Sequence, residues 1–178
     1  AVIGGLLSDG ATVVATTSSL NPGRLAFYKE LYRTHAIDGA ALWVVPANLT
    51  SYQDLDAVVD WVGNEQIATV GGGSVVTKPA MSPTLLFPFA APRVMGSLAD
   101  AGPAAEMQMR LLLWSVERLV AGLSQIGADT DVAPRLPVVL PGSPNRGRFG
   151  GDGAYGESKA ALDAVVTRWN AEEVWGSR

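Results

Sequence analysis

Short apolar runs alternate with long helical segments along this chain, and no other feature constrains its fold as strongly. Each run is uniformly apolar over a few residues and is bounded by turn residues, which is typical of a buried strand. The runs lie at residues 11–17, 40–49, 84–92 and 135–143. Uniformly apolar strands separated by helices predict a parallel sheet that is covered on both faces, with right-handed crossovers.

The segments between these runs have the length and the end signals of helices. One begins at Pro22, and another has Ser51 and Asp54 as a capping pair. The opening "AVIGGLL" is predicted to end a helix that Gly10 stops, and residues 71–83 to form a loop or a small excursion. The remaining helices are predicted at residues 22–36, 51–66, 102–127 and 156–175. This order predicts an α/β fold with a Rossmann-like, doubly wound parallel sheet.

Length and composition exclude several functional classes. A chain of 178 residues suits one domain, and the absence of cysteine excludes disulfides, thiolate nucleophiles and Cys-ligated metals. The one histidine, His35, lies at a predicted helix end, where a capping or solvated role is typical. We therefore expect no metal site and no Ser-His-Asp triad. A net charge of −4 opposes nucleic-acid binding, and no apolar run is long enough to cross a membrane.

Small or polar residues follow each predicted strand, at the point where the chain leaves the sheet. The carboxyl ends of parallel strands meet at one sheet edge, and ligands of open α/β sheets bind there. The pattern favours a cofactor crevice, although polar loops at strand ends are also the ordinary case. The four strand ends are "TTSS" (16–19), "PANL" (46–49), "FPFAAP" (87–92) and "LPGSPN" (140–145).

Tyr155 and Lys159 are four residues apart in the last predicted helix, so both side chains leave the same face. A cation about 4 Å from a phenol contributes on the order of 4 kcal/mol at an effective dielectric of 20, and it favours the ionised phenol. The hydroxyl of Ser143, at the end of a strand, can approach if the loop between them folds back on its glycines, which include Gly147 and Gly153.

Together a serine, a tyrosine and a lysine can polarise a ketone and protonate the alkoxide as a hydride arrives. No side chain supplies hydride, so this chemistry needs a nicotinamide. The competing interpretation is an exposed helix face, where lysines usually lie.

These residues also carry a family resemblance. "ATTSS", "LLFPFAAPR" and "VVLPGSPNRGRFGGDGAYGESK" resemble the short-chain dehydrogenase/reductase superfamily. More narrowly, they resemble the β-ketoacyl reductase domain of type I fatty acid synthases of the actinobacterial and fungal type, over nearly the whole chain. The resemblance implies an enzyme that reduces the 3-ketoacyl group on acyl carrier protein to the 3-hydroxyacyl group with NADPH.

The resemblance implies a role for each matching residue. Tyr155 would donate the proton, Lys159 would assist it and hold the nicotinamide ribose, and Ser143 would bind the substrate carbonyl. The residues expected along the cofactor are Thr17, Ser18, Asn48, Leu49, Phe89, Ala90, Ala91, Tyr155 and Lys159.

The resemblance implies partners as well. They are acyl carrier protein, other domains of the same synthase and further copies in a homo-oligomeric assembly, located in the cytoplasm. Because carrier proteins are acidic and this chain is net acidic, docking needs a local basic rim. Arg93, Arg146 and Arg148 are placed to form it.

The chain departs from the family pattern in three places. "RLLLWSVE" lacks the asparagine that many relatives carry in the long helix, and Ser19 replaces an arginine, which leaves Arg24 for the cofactor 2′-phosphate. The family's first strand and glycine-rich turn are absent before Ala1, and the strand and loop that close the substrate pocket are absent after Arg178. Residues 1–178 are therefore predicted to be the central part of one ketoreductase domain, truncated at both ends.

Two other functions stay open. A truncated domain could be a structural, non-catalytic part of a synthase, or a docking module for the carrier protein. A domain kept only for packing, however, has no need of a Ser-Tyr-Lys set. A sugar-nucleotide epimerase of the same superfamily would take a nucleotide sugar, which the "FPFAAP" turn disfavours.

Overall fold

The structure is a computed structural model that describes residues 1–128, 136–146 and 150–172. The chain divides into two compact units, residues 1–48 and the described residues from Leu49 onward, and each is considered by itself. Gly147, one of the predicted loop glycines, and Arg148, part of the predicted basic rim, lie outside the described residues.

The first unit has a two-stranded parallel sheet and two helices. Its elements are α1 (Val2–Ser8), β1 (Thr12–Thr17), α2 (Pro22–His35) and β2 (Ala41–Pro46). The two strands pair in register from Thr12 opposite Ala41 to Thr17 opposite Pro46. Gly10 ends the first helix region at a φ of +80°, as predicted. The predicted strands and the predicted helix of this region are confirmed, except that β2 ends at Pro46 and not at residue 49.

His35 has a structural role in the first unit. It is the last residue of α2, and a Cβ atom added to Gly4 of α1 would lie 3.0 Å from its ring. The Ser8 hydroxyl donates to the backbone carbonyl of His35 at 3.2 Å. The histidine therefore joins the two helices.

The second unit begins with α3 (Tyr52–Gly63), which starts as predicted. The Ser51 hydroxyl accepts from the backbone N–H of Asp54 at 3.2 Å, the bond expected of an N-cap. The helix ends at Gly63, three residues before the predicted end at 66, because the chain then enters a β-hairpin.

The hairpin corrects the prediction of a loop or small excursion at residues 71–83. Strands β3 (Gln66–Val70) and β4 (Gly73–Lys78) pair antiparallel, and the two glycines between them both have positive φ. β-Branched residues in both strands favour this conformation, and the glycines supply the tight turn.

Lys78 anchors the hairpin to α3. Its side chain is 1% exposed, and its ammonium donates to the backbone carbonyls of Trp61, Val62 and Asn64, at 2.9 Å for Val62 and 2.7 Å for Asn64. These carbonyls lie at the C-terminal end of α3, where helical acceptors lack intrahelical partners and the helix dipole is negative. Lys78 therefore satisfies the helix end from a distant strand.

The helix predicted at 102–127 is interrupted by one wider turn. The segment consists of a 3₁₀ turn (Leu98–Asp100), α4 (Pro103–Met109), a π-helical turn (Arg110–Trp114) and α5 (Ser115–Leu123). α5 packs against α3, and Gly122 lies at the contact, where an added Cβ atom would lie 2.8 Å from Cγ2 of Val59. Glycine thus allows the two helices to approach closely.

The two strands predicted at 84–92 and 135–143 are reduced to a single parallel bridge between Leu86 and Val138. Its hydrogen bonds run from Leu86 N–H to the Pro137 carbonyl at 3.0 Å and from Val139 N–H to the Leu86 carbonyl at 2.9 Å. Prolines in both segments explain the difference, because proline cannot donate to a strand ladder. Residue 135 lies outside the described residues.

The last described helix is α6 (Tyr155–Ala171), which begins one residue before the predicted start. A buried cluster of Leu113, Val116, Val120 and Leu162 packs α6 against the preceding helix and against the bridge residues Leu86 and Val138. This packing holds the start of α6 beside the end of the bridge. None of the helices in the described ranges is long and apolar enough to cross a membrane.

Candidate active site

Tyr155 and Lys159 lie in the first turns of α6, and the structure brings their side chains together. Tyr155 is the first residue of the helix, and the Nζ atom of Lys159 lies 5.5 Å from the centroid of its ring. Their spacing on one helix face produces this contact, as predicted. Lys159 is 4% exposed, so the competing interpretation of an exposed helix face does not hold for it.

The Lys159 side chain is almost entirely buried, while its ammonium still reaches solvent. Within residues 1–128, 136–146 and 150–172 it forms no hydrogen bond and no ion pair, and its contact is with the Tyr155 ring. Burial lowers the pKa of Lys159 below its ordinary value of 10.5. Such an ammonium keeps free N–H donors, which water or the oxygen atoms of a ligand can accept. The donor set therefore fits a ligand that has hydroxyl groups.

Ser143 lies in the loop that follows the Leu86–Val138 bridge, and its hydroxyl contacts its own loop. It accepts from the backbone N–H of Asn145 at 3.1 Å. In the described part of the chain no hydrogen bond joins Ser143 to Tyr155. The structure thus brings two of the three predicted catalytic residues together, while the Ser143 hydroxyl keeps a proton to donate.

Phe89, Ala90 and Ala91 follow the bridge and are exposed. The Phe89 N–H donates to the Phe87 carbonyl at 2.9 Å, which bends the chain sharply. The two phenylalanine rings contact edge to face, with centroids 5.4 Å apart. The predicted cofactor turn therefore presents two small, accessible residues, Ala90 and Ala91, directly after a pair of packed aromatic rings.

Leu49 is held by a residue that the sequence pattern did not indicate. The Ser115 hydroxyl, which directly follows the π-helical turn, lies within hydrogen-bond distance of the Leu49 and Arg110 carbonyls. Ser115 is 2% exposed and is the serine of "RLLLWSVE", the segment in which many relatives carry asparagine. Because a hydroxyl has one proton, the two carbonyls share one donor.

Thr17, Ser18 and Asn48 belong to the first unit. Thr17 is 6% exposed, and its hydroxyl donates to the Ser19 carbonyl at 3.0 Å, which closes a turn at the end of β1. Ser18 and Asn48 are exposed. Arg24 is also exposed, and its backbone N–H donates to the Asn21 side chain at the start of α2 at 2.9 Å.

Gln108 is a second residue of the site region that the sequence pattern did not indicate. It is 2% exposed, and its Oε1 atom accepts from the backbone N–H of Ala154, directly before Tyr155, at 2.6 Å. The available signal was a single amide between two methionines in the segment "EMQMRLLLW". The described residues contain no group of three or more side chains suited to hold a metal ion.

Comparison with known proteins finds relatives over nearly the whole chain. The chain is 34% identical over 178 residues to fatty acid synthase subunit alpha of Candida parapsilosis and 32% identical over 179 residues to that of Saccharomyces cerevisiae. Each match covers 99% of this chain but 9% of the relative, so the chain corresponds to a small segment of those subunits. No protein-family model matches the chain.

Solved structures share the fold. A bulky-bulky ketone specific alcohol dehydrogenase from Comamonas testosteroni matches with a TM-score of 0.70 at 16% identity, over 96% of this chain and 60% of that one. A short-chain dehydrogenase from Sphingobium yanoikuyae in complex with NADPH matches with a TM-score of 0.65 at 19% identity, over 95% and 59%. An NADH-dependent reductase complexed with NAD matches with a TM-score of 0.67 at 17% identity, over 97% of this chain and 66% of that one. These matches confirm the predicted Rossmann-like α/β fold.

Proposed function

Because the chain is homologous to a segment of fungal fatty acid synthase alpha subunits and has the short-chain dehydrogenase/reductase fold, we propose that it forms the ketoreductase of such a synthase. The proposed reaction is the NADPH-dependent reduction of a 3-ketoacyl thioester on acyl carrier protein to the 3-hydroxyacyl thioester. The observation that carries the proposal is the Lys159 ammonium, which lies beside the Tyr155 ring at the end of an almost buried side chain.

The donors of Lys159 fit the ribose of a nicotinamide nucleotide. An ammonium has three N–H donors, and neighbouring ribose hydroxyls offer acceptor oxygens without adding charge. A purely structural segment gains little from such a group, because partial desolvation of a charge without a protein partner costs stability. The burial of Lys159 therefore favours catalysis over the alternative of a non-catalytic packing segment.

Tyr155 is the proposed proton donor. As its hydroxyl gives up the proton, the negative charge that develops is attracted by Lys159. For two charges about 5 Å apart at an effective dielectric of 20, such an attraction is on the order of 3 kcal/mol. The N-terminal end of α6, where Tyr155 lies, adds the positive end of a helix dipole.

Ser143 is the proposed donor to the ketone oxygen. Its hydroxyl already accepts from Asn145, so its proton is available to orient the carbonyl toward Tyr155. Bound NADPH would supply the hydride that none of these side chains can supply.

The remaining cofactor contacts are proposed residue by residue, as the family resemblance implies them. Thr17, Ser18 and Arg24 would lie along the adenosine ribose and its 2′-phosphate, and Asn48 and Leu49 along the adenine. Phe89, Ala90 and Ala91 would line the middle of the cofactor; all three are exposed, and the two alanines leave room for it.

The proposed partners follow from the relatives. Acyl carrier protein would deliver the substrate, and the segment would act beside other domains of one synthase in a homo-oligomeric, cytoplasmic assembly. Arg93 and Arg146 are both exposed, as docking to an acidic carrier protein would require.

Tyr155→Phe in the full-length protein tests the proposal. NADPH oxidation with a 3-ketoacyl thioester should fall by about 10²- to 10⁴-fold, the usual contribution of a general acid. The NADPH dissociation constant from isothermal titration should stay within about twofold, because the ring and Lys159 remain. Tyr28→Phe, in a half-buried position of α2, is the matched control and should leave both values unchanged. Half of the original turnover in Tyr155→Phe would contradict the assignment.

A further inference from the structure

Helix α6, which carries Tyr155 and Lys159, has no cap of its own. Its N-cap residue is Ala154, which has no side chain able to accept from the first backbone N–H groups. A helix start of this kind leaves several N–H donors without partners, and leaving them unsatisfied is costly where water is excluded. The Tyr155 N–H donates to the nearby Asp152 carbonyl at 3.2 Å, and the Ala154 N–H needs an acceptor from elsewhere.

Gln108 of α4 supplies one such acceptor from a distant element. Its Oε1 atom lies 2.6 Å from the backbone nitrogen of Ala154, and its side chain is 2% exposed. Gly153 makes the approach possible, because a Cβ atom at that position would lie 2.7 Å from the same Oε1 atom. Gly153 also has a φ of +60°, a conformation that glycine adopts without strain.

Further contacts lie next to this bond. They join α4 and its flanking loop to the start of α6. The Gly153 N–H donates to the Gly96 carbonyl at 2.9 Å, and the Gly96 N–H donates to the Gly151 carbonyl at 3.0 Å. One turn into α6, the Ser158 hydroxyl lies 3.1 Å from Sδ of Met109, and Ser158 is fully buried. The start of α6 is therefore held from outside the helix.

We propose that Gln108 is a positioning residue for the Tyr155–Lys159 pair. By accepting from Ala154, it sets where α6 begins, and so where the Tyr155 hydroxyl lies relative to a bound ketone. Its effect on turnover rests on the proposed function, whereas its effect on the start of α6 does not. Small displacements of a catalytic group lower the rate of the chemical step more than the affinity for substrate.

Two substitutions in the full-length protein separate the acceptor from the volume of the side chain. Gln108→Leu removes the acceptor at similar size. It should lower kcat by about 10- to 100-fold while KM changes by less than about threefold. Gln108→Glu keeps an oxygen acceptor, and its charge lies at the positive end of α6. It should retain kcat within about threefold of the unsubstituted protein.

Hydrogen exchange provides a readout that does not depend on the reaction. Amides in residues 154–158 should exchange faster in Gln108→Leu and stay protected in Gln108→Glu. Leu112→Ala, at an equally buried position one helical turn further along, is the control for general destabilisation and should not reproduce this pattern. Any one of three results would overturn the proposal. The first is equal behaviour of the Leu and Glu variants at Gln108, and the second is unchanged exchange at 154–158 in Gln108→Leu. The third is the same exchange pattern in Leu112→Ala.

The proposed function can fail separately. Full turnover in Tyr155→Phe would remove the assigned chemistry while the exchange data still decide the role of Gln108. Loss of turnover in Tyr155→Phe with unchanged kcat in Gln108→Leu would overturn the role of Gln108 alone.

Discussion

The Nζ atom of Lys159 lies 5.5 Å from the centroid of the Tyr155 ring, on a side chain that is 4% exposed. Lys78 is equally enclosed, at 1% exposed, but its ammonium donates to three backbone carbonyls. Burial lowers the pKa of both lysines below 10.5. The two lysine side chains are thus similarly enclosed, but in the described part of the chain protein carbonyls accept from the ammonium of Lys78 and not from that of Lys159. Their replacement is therefore predicted to change stability in opposite directions.

Replacing Lys159 by methionine should abolish turnover and stabilise α6. The apolar side chain has similar length and removes a partly desolvated charge that has no protein acceptor among the described residues, so we expect a gain of about 0.5–2 kcal/mol in local stability. NADPH affinity should fall at the same time, because the proposed ribose contact is lost. Hydrogen exchange of α6 peptides and isothermal titration measure the two effects. Faster exchange in α6, or unchanged NADPH affinity, would contradict this account of Lys159.

The same replacement at Lys78 should have the opposite effect on stability. Lys78→Met leaves the carbonyls at the end of α3 without donors, and we expect a loss of about 1–3 kcal/mol for buried groups left unsatisfied. Exchange should accelerate at the end of α3 and in the β3–β4 hairpin. A variant with unchanged exchange in these peptides would show that the three hydrogen bonds contribute little.

The stability of α6 should also rise with pH at alkaline values. Because the pKa of Lys159 is lowered in the folded chain, the unfolded chain binds more protons between that lowered value and 10.5. Folding is therefore favoured as pH increases through this interval. Below the interval, the free-energy cost of keeping Lys159 charged in the folded chain is fully present. Local stability from hydrogen exchange, corrected for intrinsic rates, should show the increase, and Lys159→Met should lack it.

Gly122→Ala should weaken the contact between α3 and α5. The added Cβ atom would lie 2.8 Å from Cγ2 and 3.1 Å from Cγ1 of Val59, a stiff β-branched side chain that cannot move aside without strain. We expect a loss of about 1–3 kcal/mol, as for other overpacked sites. Gly5→Ala is the matched control, since an added Cβ atom there meets nothing within 4 Å. Equal stability of the two variants would show that the helices can separate freely.

Cofactor preference tests the proposed role of Arg24. Arg24→Glu should lower catalytic efficiency with NADPH by about tenfold or more and leave NADH almost unaffected, because only NADPH carries the 2′-phosphate. Arg33→Glu, on the same exposed helix, controls for the change in net charge. Equal efficiency of the unsubstituted protein with both cofactors would refute the preference for NADPH.

Docking of the carrier protein is tested at Arg146, which forms an ion pair with Asp163 at 2.6 Å. Arg146→Glu should raise KM for carrier-bound substrate more than for a small ketone mimic. Asp163→Asn breaks the same ion pair but keeps the arginine charge, so it should leave KM for carrier-bound substrate nearly unchanged. Matching effects of the two variants would assign Arg146 to loop structure and not to docking.

Much of this protein was determined by its local sequence. Helix starts at Pro22 and Ser51 follow from capping chemistry that acts within one turn. The Tyr155–Lys159 contact follows from a spacing of four residues, which any α-helix converts into adjacency. The catalytic hypothesis needed no more than that spacing, a serine at a strand end and the family resemblance.

Only the tertiary structure decided which distant groups satisfy the buried donors and acceptors. Lys78 completes the end of α3, Ser115 holds the Leu49 carbonyl, and Gln108 caps α6, each across a long separation in sequence. The segment at 84–92 forms a bridge and not a full strand, because its prolines remove ladder donors that apolar patterning does not reveal. Local sequence determines where a helix ends and so which backbone groups need hydrogen-bond partners. Which residues become those partners depends on how the helices and strands pack.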